Sequence, residues 1–155
     1  MAKEIEKKFY VNIDGIHLDG YYQKKIIQNY LMYENIYQVR IREEINQNKM
    51  EHFLTYKEGN GLSRIEEEIK ISPYVYHELD RQIKQAPIRK TRYLLPYKSK
   101  IIELDIFDSS QLLPVAEIEF NTLEELENFN YPEWFTRQCN KTNGTFWRQI
   151  NGLAE

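Results

Sequence analysis

One cysteine in 155 residues, Cys139, has no partner for an internal disulfide, and 6 glycines with 5 prolines are too few for a fibrous or low-complexity chain. Long apolar runs are missing too. No stretch approaches the roughly 20 residues that a membrane-spanning helix needs, and the N-terminal MAKEIEKKFYV lacks the apolar segment of a secretory signal. A reducing, cytoplasmic setting is therefore expected, with no membrane partner. Neither charge dominates: Lys and Arg number 21 against 24 Asp and Glu, a net charge of -3, so no global field draws in a nucleic acid backbone. There is no G-x-x-x-x-G-K-[ST] loop, which argues against a Walker-type nucleotidase. His17, His52 and His77 are scattered without metal-ligand spacing and read as surface or loop residues. Cys139 has no histidine on a shared face and reads as a small apolar side chain. Neither an internal repeat nor a Pro/Gly/Ser-rich linker divides the chain, so residues 1–155 are expected to form one domain.

What the chain does have is short alternating segments rich in Ile, Val, Tyr and Phe. Residues 3–12, 36–46, 50–57, 64–71, 88–96, 100–107 and 114–120 are predicted strands. Glu58-Gly59-Asn60-Gly61 separates two of them as a hairpin turn. Residues 21–34 place Tyr22, Ile26, Tyr30 and Tyr33 at helical spacing and predict a helix. Ser72-Pro73 predicts the start of a second helix, with Val75, Leu79 and Ile83 as its apolar stripe. Thr122 with Glu125 reads as a capping box opening a short third one. Residues 142–155 are open to either helix or loop.

Because side chains alternate across a strand, residues two apart share a face. Here the shared face is charged in strand after strand: Glu4, Glu6 and Lys8; Arg40 and Arg42; Lys57; Arg64, Glu66 and Glu68; Lys90 and Arg92; Glu103 and Asp105; Glu117 and Glu119. The opposite face carries Ile5, Val39, Ile41, Leu54, Tyr56, Leu104, Ile106, Ile118 and Phe120. A solvated sheet face with cross-strand ion pairs worth ~0.2–1 kcal/mol each would explain any one strand. It does not explain like-signed pairs repeated along the chain. The alternative closes the sheet into a barrel with the charges inside and helices over its apolar exterior, an α+β fold. Two cations 4 Å apart repel by ~4 kcal/mol at an effective dielectric near 20, so an anion must sit among them. Clustered carboxylate oxygens suit hard divalent ions, and a phosphate chain with Mg²⁺ or Mn²⁺ is the expected occupant.

Glu4-Ile5-Glu6-Lys7-Lys8 is an E-x-E-x-K motif that resembles the signature of the CYTH, or triphosphate tunnel metalloenzyme, superfamily. Gln28-Asn29-Tyr30-Leu31 resembles its Q-G-Y-L, Val39-Arg40-Ile41-Arg42 its paired arginines and Thr55-Tyr56-Lys57 its T-x-K. Four further segments, beginning at Gly61, Arg89, Glu103 and Ala116, follow in family order. The resemblance implies an eight-stranded antiparallel tunnel and hydrolysis of tripolyphosphate, as in small bacterial members, or of a small organic triphosphate. It implies that Lys8, Arg40, Arg42, Lys57, Arg64, Lys90 and Arg92 grip the phosphates. Glu4, Glu6, Glu117 and Glu119 would hold the metal, with Asp105, Glu66, Glu103 and Glu68 as further acidic groups. Tyr30 and Lys8 would handle the proton of the attacking water, although core packing explains Tyr30 equally well. A CYTH-type adenylyl cyclase and a non-catalytic polyphosphate or nucleotide-binding module are the alternatives. Oligomeric state is left open, a homodimer included. Two departures stand out: Asn29 replaces the family's glycine, and Thr136-Arg137-Gln138-Cys139-Asn140 replaces a segment that usually carries an acid.

Overall fold

In the computed structural model, which describes residues 2–34 and 36–153, the alternating segments form antiparallel strands. In chain order the elements are β1 (Lys3–Val11), β2 (Tyr22–Glu34), β3 (Tyr37–Asn46), β4 (Lys49–Glu58), β5 (Ser63–Lys70), α1 (Pro73–Asp80), β6 (Ile88–Tyr97), β7 (Lys100–Phe107), β8 (Val115–Phe120), α2 (Leu123–Asn128), β9 (Phe135–Gln138) and α3 (Asn143–Ile150). The seven predicted strands appear within two residues of their expected ends. Eight strands close in the order β5-β4-β3-β2-β6-β7-β8-β1, with Lys3–Ile5 of β1 returning to pair with β5. The expected eight-stranded barrel is thus present.

Two strands escaped the sequence reading. The segment 21–34, expected as a helix, is the 13-residue strand β2, paired with β3 on one edge and β6 on the other. A spacing of four residues returns to the same face in a strand as nearly as it does in a helix, so Tyr22, Ile26 and Tyr30 fit either periodicity. Tyr33 falls out of step with a plain strand, but the register shift between Tyr30 and Met32 marks a bulge. The Tyr33 ring consequently meets that of Tyr30 edge-on, with centroids 5.9 Å apart. The other is β9, which pairs with Phe9–Val11 of β1 just beyond the point where β5 leaves it.

The predicted helix starts are present. Ser72 caps α1 by accepting from the Val75 amide, and Thr122 caps α2 by accepting from that of Glu125. The stripe expected on α1 is not the buried one, however. Tyr76 is buried while Val75 is exposed, and Ile83 lies beyond the helix end. The hairpin between β4 and β5 turns on Gly59 and Gly61, both with positive φ.

Two apolar clusters hold the molecule. Outside the barrel, Leu104, Ala116, Ile118 and Phe120 pack under Leu126 of α2. The second cluster lies at one end of the barrel. The inward rows, charged along most of their length, turn apolar at Tyr30, Ile88, Phe107 and Val115, and there Phe146 and Trp147 of α3 pack against them. Each such side chain contributes ~1.5–3 kcal/mol on burial. Among the described residues, no helix is long and apolar enough to cross a membrane.

Candidate active site

Strand register sets which charges meet. In β1, Glu6 lies opposite Glu119 and Lys8 opposite Glu117, while Glu117 also faces Glu103 of β7. This builds an acidic wall from β1, β8 and β7. Across from it, Lys24 of β2 pairs with Arg92 of β6, and Arg40 and Arg42 of β3 lie beside β4, which carries Lys57. Both walls line one cavity of about 170 Å³, bounded by Glu4, Glu6, Lys24, Arg40, Arg42, Glu44, Lys57, Glu66, Glu68, Arg92, Glu103, Glu117, Glu119 and Asn143. Eleven of the residues expected at the site from sequence are in that wall.

Several cations are held by carboxylates. Lys57 Nζ lies 3.0 Å from Glu4 and 3.2 Å from Glu66, and Arg64 Nη2 lies 3.5 Å from Glu4 and 3.2 Å from Glu6. Arg42 bridges Glu44 at 2.7 Å and Glu68 at 2.9 Å. Despite burial, Arg42 together with the Thr55 hydroxyl lowers the Glu68 pKa. Arg92 grips Asp105 through two nitrogens, at 2.8 and 2.9 Å, and Lys90 reaches the same carboxylate at 2.7 Å. Burial disfavours the Asp105 charge, but Arg92 and Lys90 outweigh it and hold the carboxyl far below its usual range. Burial draws Lys90 down to about 7, with Arg92 and Arg40 adding to the effect and Asp105 opposing it. Asp105 and Lys90 are absent from the cavity wall, so the pair sits behind it.

Arg40 is different. Among the described residues it forms no ion pair within 4.0 Å, and its buried Nε has no hydrogen-bond partner. Burial works against its charge, yet the neighbouring Tyr30 hydroxyl with Glu4 and Glu66 raises its pKa above the ordinary value. That hydroxyl is itself buried without a hydrogen bond of regular geometry. A buried donor left unpaired costs ~1–3 kcal/mol, so both groups point to a polar ligand.

The acidic wall shows the converse frustration. Partial burial, then Glu4, Glu6, Glu103 and Glu66, push Glu119 up to about 7. An all-oxygen donor set whose members repel one another fits a hard divalent cation. Lys8 stands between the two chemistries: its Nζ is 3.7 Å from Glu117, donates to the Lys141 carbonyl at 3.2 Å and lies over the Phe146 ring. Tyr30 lies outside the cavity wall in the apolar cluster, its ring 5.3 Å from that of Trp147. Both proton-handling candidates therefore abut α3.

Lys24, Glu44 and Asn143 line the cavity but were missed from sequence. Lys24 shares parity with Ile26 and Tyr30, so reading β2 as a strand would have found it. Glu44 extends the Arg40-Arg42 row by one step. Asn143 enters from α3 and left no local signal. The histidine reading also needs correction: His52 is buried, and its Nε2 lies 3.2 Å from Glu43. Among the described residues, Glu43, His52 and His77 form a group able to hold a metal ion, outside the barrel.

The departures at Asn29 and 136–140 are accommodated. Asn29 Oδ1 accepts from Trp147 Nε1 at 2.7 Å and from the Tyr30 amide, while its Nδ2 donates to the Gln85 carbonyl. It thereby ties β2 to α3. Residues 135–138 form β9.

No protein-family model matches the chain. An inorganic triphosphatase of Nitrosomonas europaea is 34% identical over 99 residues, covering 61% of this chain and 64% of that protein, just under two thirds of its length. A solved structure of an inorganic triphosphatase, NE1496, superimposes with a TM-score of 0.62 at 26% identity, over 94% of this chain and 95% of its own. The PH1819 protein of Pyrococcus horikoshii matches in fold, with a TM-score of 0.73 at 22% identity over 95% and 99% of the two chains. The chain is thus similar in sequence to an inorganic triphosphatase and shares the fold of these solved structures over nearly its whole length.

Proposed function

We propose that this protein hydrolyses inorganic tripolyphosphate, or a small organic triphosphate, inside the barrel with a divalent metal ion, Mg²⁺ or Mn²⁺. The observation that carries the reading is the paired frustration across one cavity. The buried Arg40 donor lacks an acceptor, while Glu119 is raised to about 7 by neighbouring carboxylates. A metal-bound phosphate chain relieves both at once. The inorganic triphosphatases among the relatives support the same substrate class.

Arg40, Arg42, Lys57, Arg64 and Arg92 bind and orient the phosphates, and Lys24 joins them. Glu4, Glu6, Glu117 and Glu119 hold the ion, with Glu66 and Glu103 beside them. A bound ion supplies charge neutralisation on the phosphoryl oxygens, the larger share of catalysis in phosphoryl transfer. Asp105, expected at the metal, is instead assigned to anchoring Arg92 and Lys90, since both its oxygens are taken. Lys8 and Tyr30 orient the attacking water and handle its proton, which ends on phosphate oxygen as the bond to the bridging oxygen breaks. The lone buried thiol of Cys139 suits a reducing, cytosolic setting.

The test is phosphate release by the pure protein from tripolyphosphate, ATP and thiamine triphosphate with Mg²⁺ or Mn²⁺. Release from none of them rejects the proposal. Tight binding without turnover under every metal establishes the binding module in its place.

A further inference from the structure

We infer that Glu43, His52 and His77 form a second metal site, on the outer face of the barrel and selective for a zinc-like ion. The inference is independent of the tunnel's activity. Glu43 of β3 and His52 of β4 are direct cross-strand partners, so the backbone itself holds them together. Their side chains take the outward parity, opposite that of Arg42 and Phe53. His52 Nε2 and Glu43 Oε2 lie 3.2 Å apart, with side-chain exposures of 1% and 11%. His77, in the last turn of α1, completes the group with its ring centroid 5.9 Å from that of His52. One ligand atom from each residue lies within 4.8 Å of the others.

That spacing suits coordination. Tetrahedral bonds of 2.0–2.2 Å place neighbouring donors about 3.4 Å apart, so a shift of the exposed His77 ring is enough to close the site. Two imidazoles and one carboxylate form a set that favours zinc and its neighbours over Mg²⁺, whose preference is for oxygen alone. Tyr76 packs on His52 at 4.6 Å between centroids and closes the inner side. His77 is exposed, leaving a fourth position to water. An ion here clamps α1 onto the strand pair whose inner face carries Arg40, Arg42 and Lys57.

The test uses the full chain, stripped of metal and then held in saturating Mg²⁺ so that the oxygen-lined tunnel is occupied. Zinc binding is measured by calorimetry, and Co²⁺ substitution by its visible spectrum. One ion per chain with a four-coordinate Co²⁺ spectrum is expected. The thermal midpoint should rise by about 5–10 °C at free zinc 100 times Kd. His77→Ala, at an exposed position, should fold normally and keep its Mg²⁺-dependent activity, yet weaken zinc binding by more than about 100-fold, beyond the effect of losing an outer-shell partner. Glu6→Gln should leave the Co²⁺ spectrum intact. Zinc binding unchanged in His77→Ala, absent in the parent, or lost in Glu6→Gln overturns the inference.

Discussion

Glu119 stands at the cavity with a carboxyl raised to about 7, first by burial and then by the four acids around it. A raised carboxyl favours the protonated folded state, so this group's penalty is absent below the ordinary carboxylate value, grows as pH rises towards 7 and is complete above it. The side chain is exposed, and solvent screening tempers the effect on stability. Under the proposed assignment of Glu119 to the metal, proton and ion compete for the same oxygens, so metal binding senses the shift directly. Mn²⁺ affinity measured calorimetrically should fall by up to about tenfold from pH 8 to pH 6, and Glu119→Gln should flatten that dependence. Arg40 offers the matching test on the basic wall. Because Tyr30, Glu4 and Glu66 favour its charge in the folded state, Arg40→Met should lower the thermal midpoint of the free protein modestly. Its tripolyphosphate affinity should drop by ~1.5–3 kcal/mol, a factor of about 10 to 150, in the same calorimeter.

Among the elements, α3 has the largest consequence. It supplies Phe146 and Trp147 to the apolar end of the barrel, Asn143 to the cavity wall and an indole donor to Asn29. Its docking depends on a missing side chain. A Cβ at Gly144 would drive into the Tyr33 ring, which is held by the Thr145 hydroxyl. Gly144→Ala should therefore unseat the helix at a cost of ~1–3 kcal/mol, read as a lower denaturant midpoint with unchanged slope. Asn29→Ala leaves the Trp147 Nε1–H without its acceptor and should cost ~1–3 kcal/mol in the same measurement. Since Tyr30 and Lys8 both rest on α3, turnover should fall in both variants along with stability.

At the scale of the whole molecule, closure turns an alternating pattern into a site. Ring order brings β1, β8 and β7 around to face β3 and β4, which lie far away along the chain, so acids meet bases across an enclosed space. The free protein holds that arrangement against its own repulsion. Tripolyphosphate with Mn²⁺ at 100 times Kd should add ~2.7 kcal/mol, about 5–10 °C in thermal midpoint, whereas monophosphate should add much less. High salt should shrink the difference, as it screens the exposed end of the cavity.

Much of this was legible beforehand. Period-two alternation is a local property, so seven strands and the inward parity of Glu4, Arg40, Lys57, Arg92 and Glu117 could be read from the chain alone, as could the caps at Ser72 and Thr122. The identity of β2 could not, because a four-residue spacing serves both periodicities and only the edges offered by β3 and β6 choose between them. The withdrawal of Asp105 behind Arg92, the seating of α3 on Tyr30 and the meeting of Glu43, His52 and His77 lay equally beyond reach. Each joins residues from separate elements, and such contacts exist only once backbone pairing has fixed the register. Sequence determined which face of each strand is charged; tertiary structure decided which charges face one another, because side-chain alternation is encoded locally and ring closure is not.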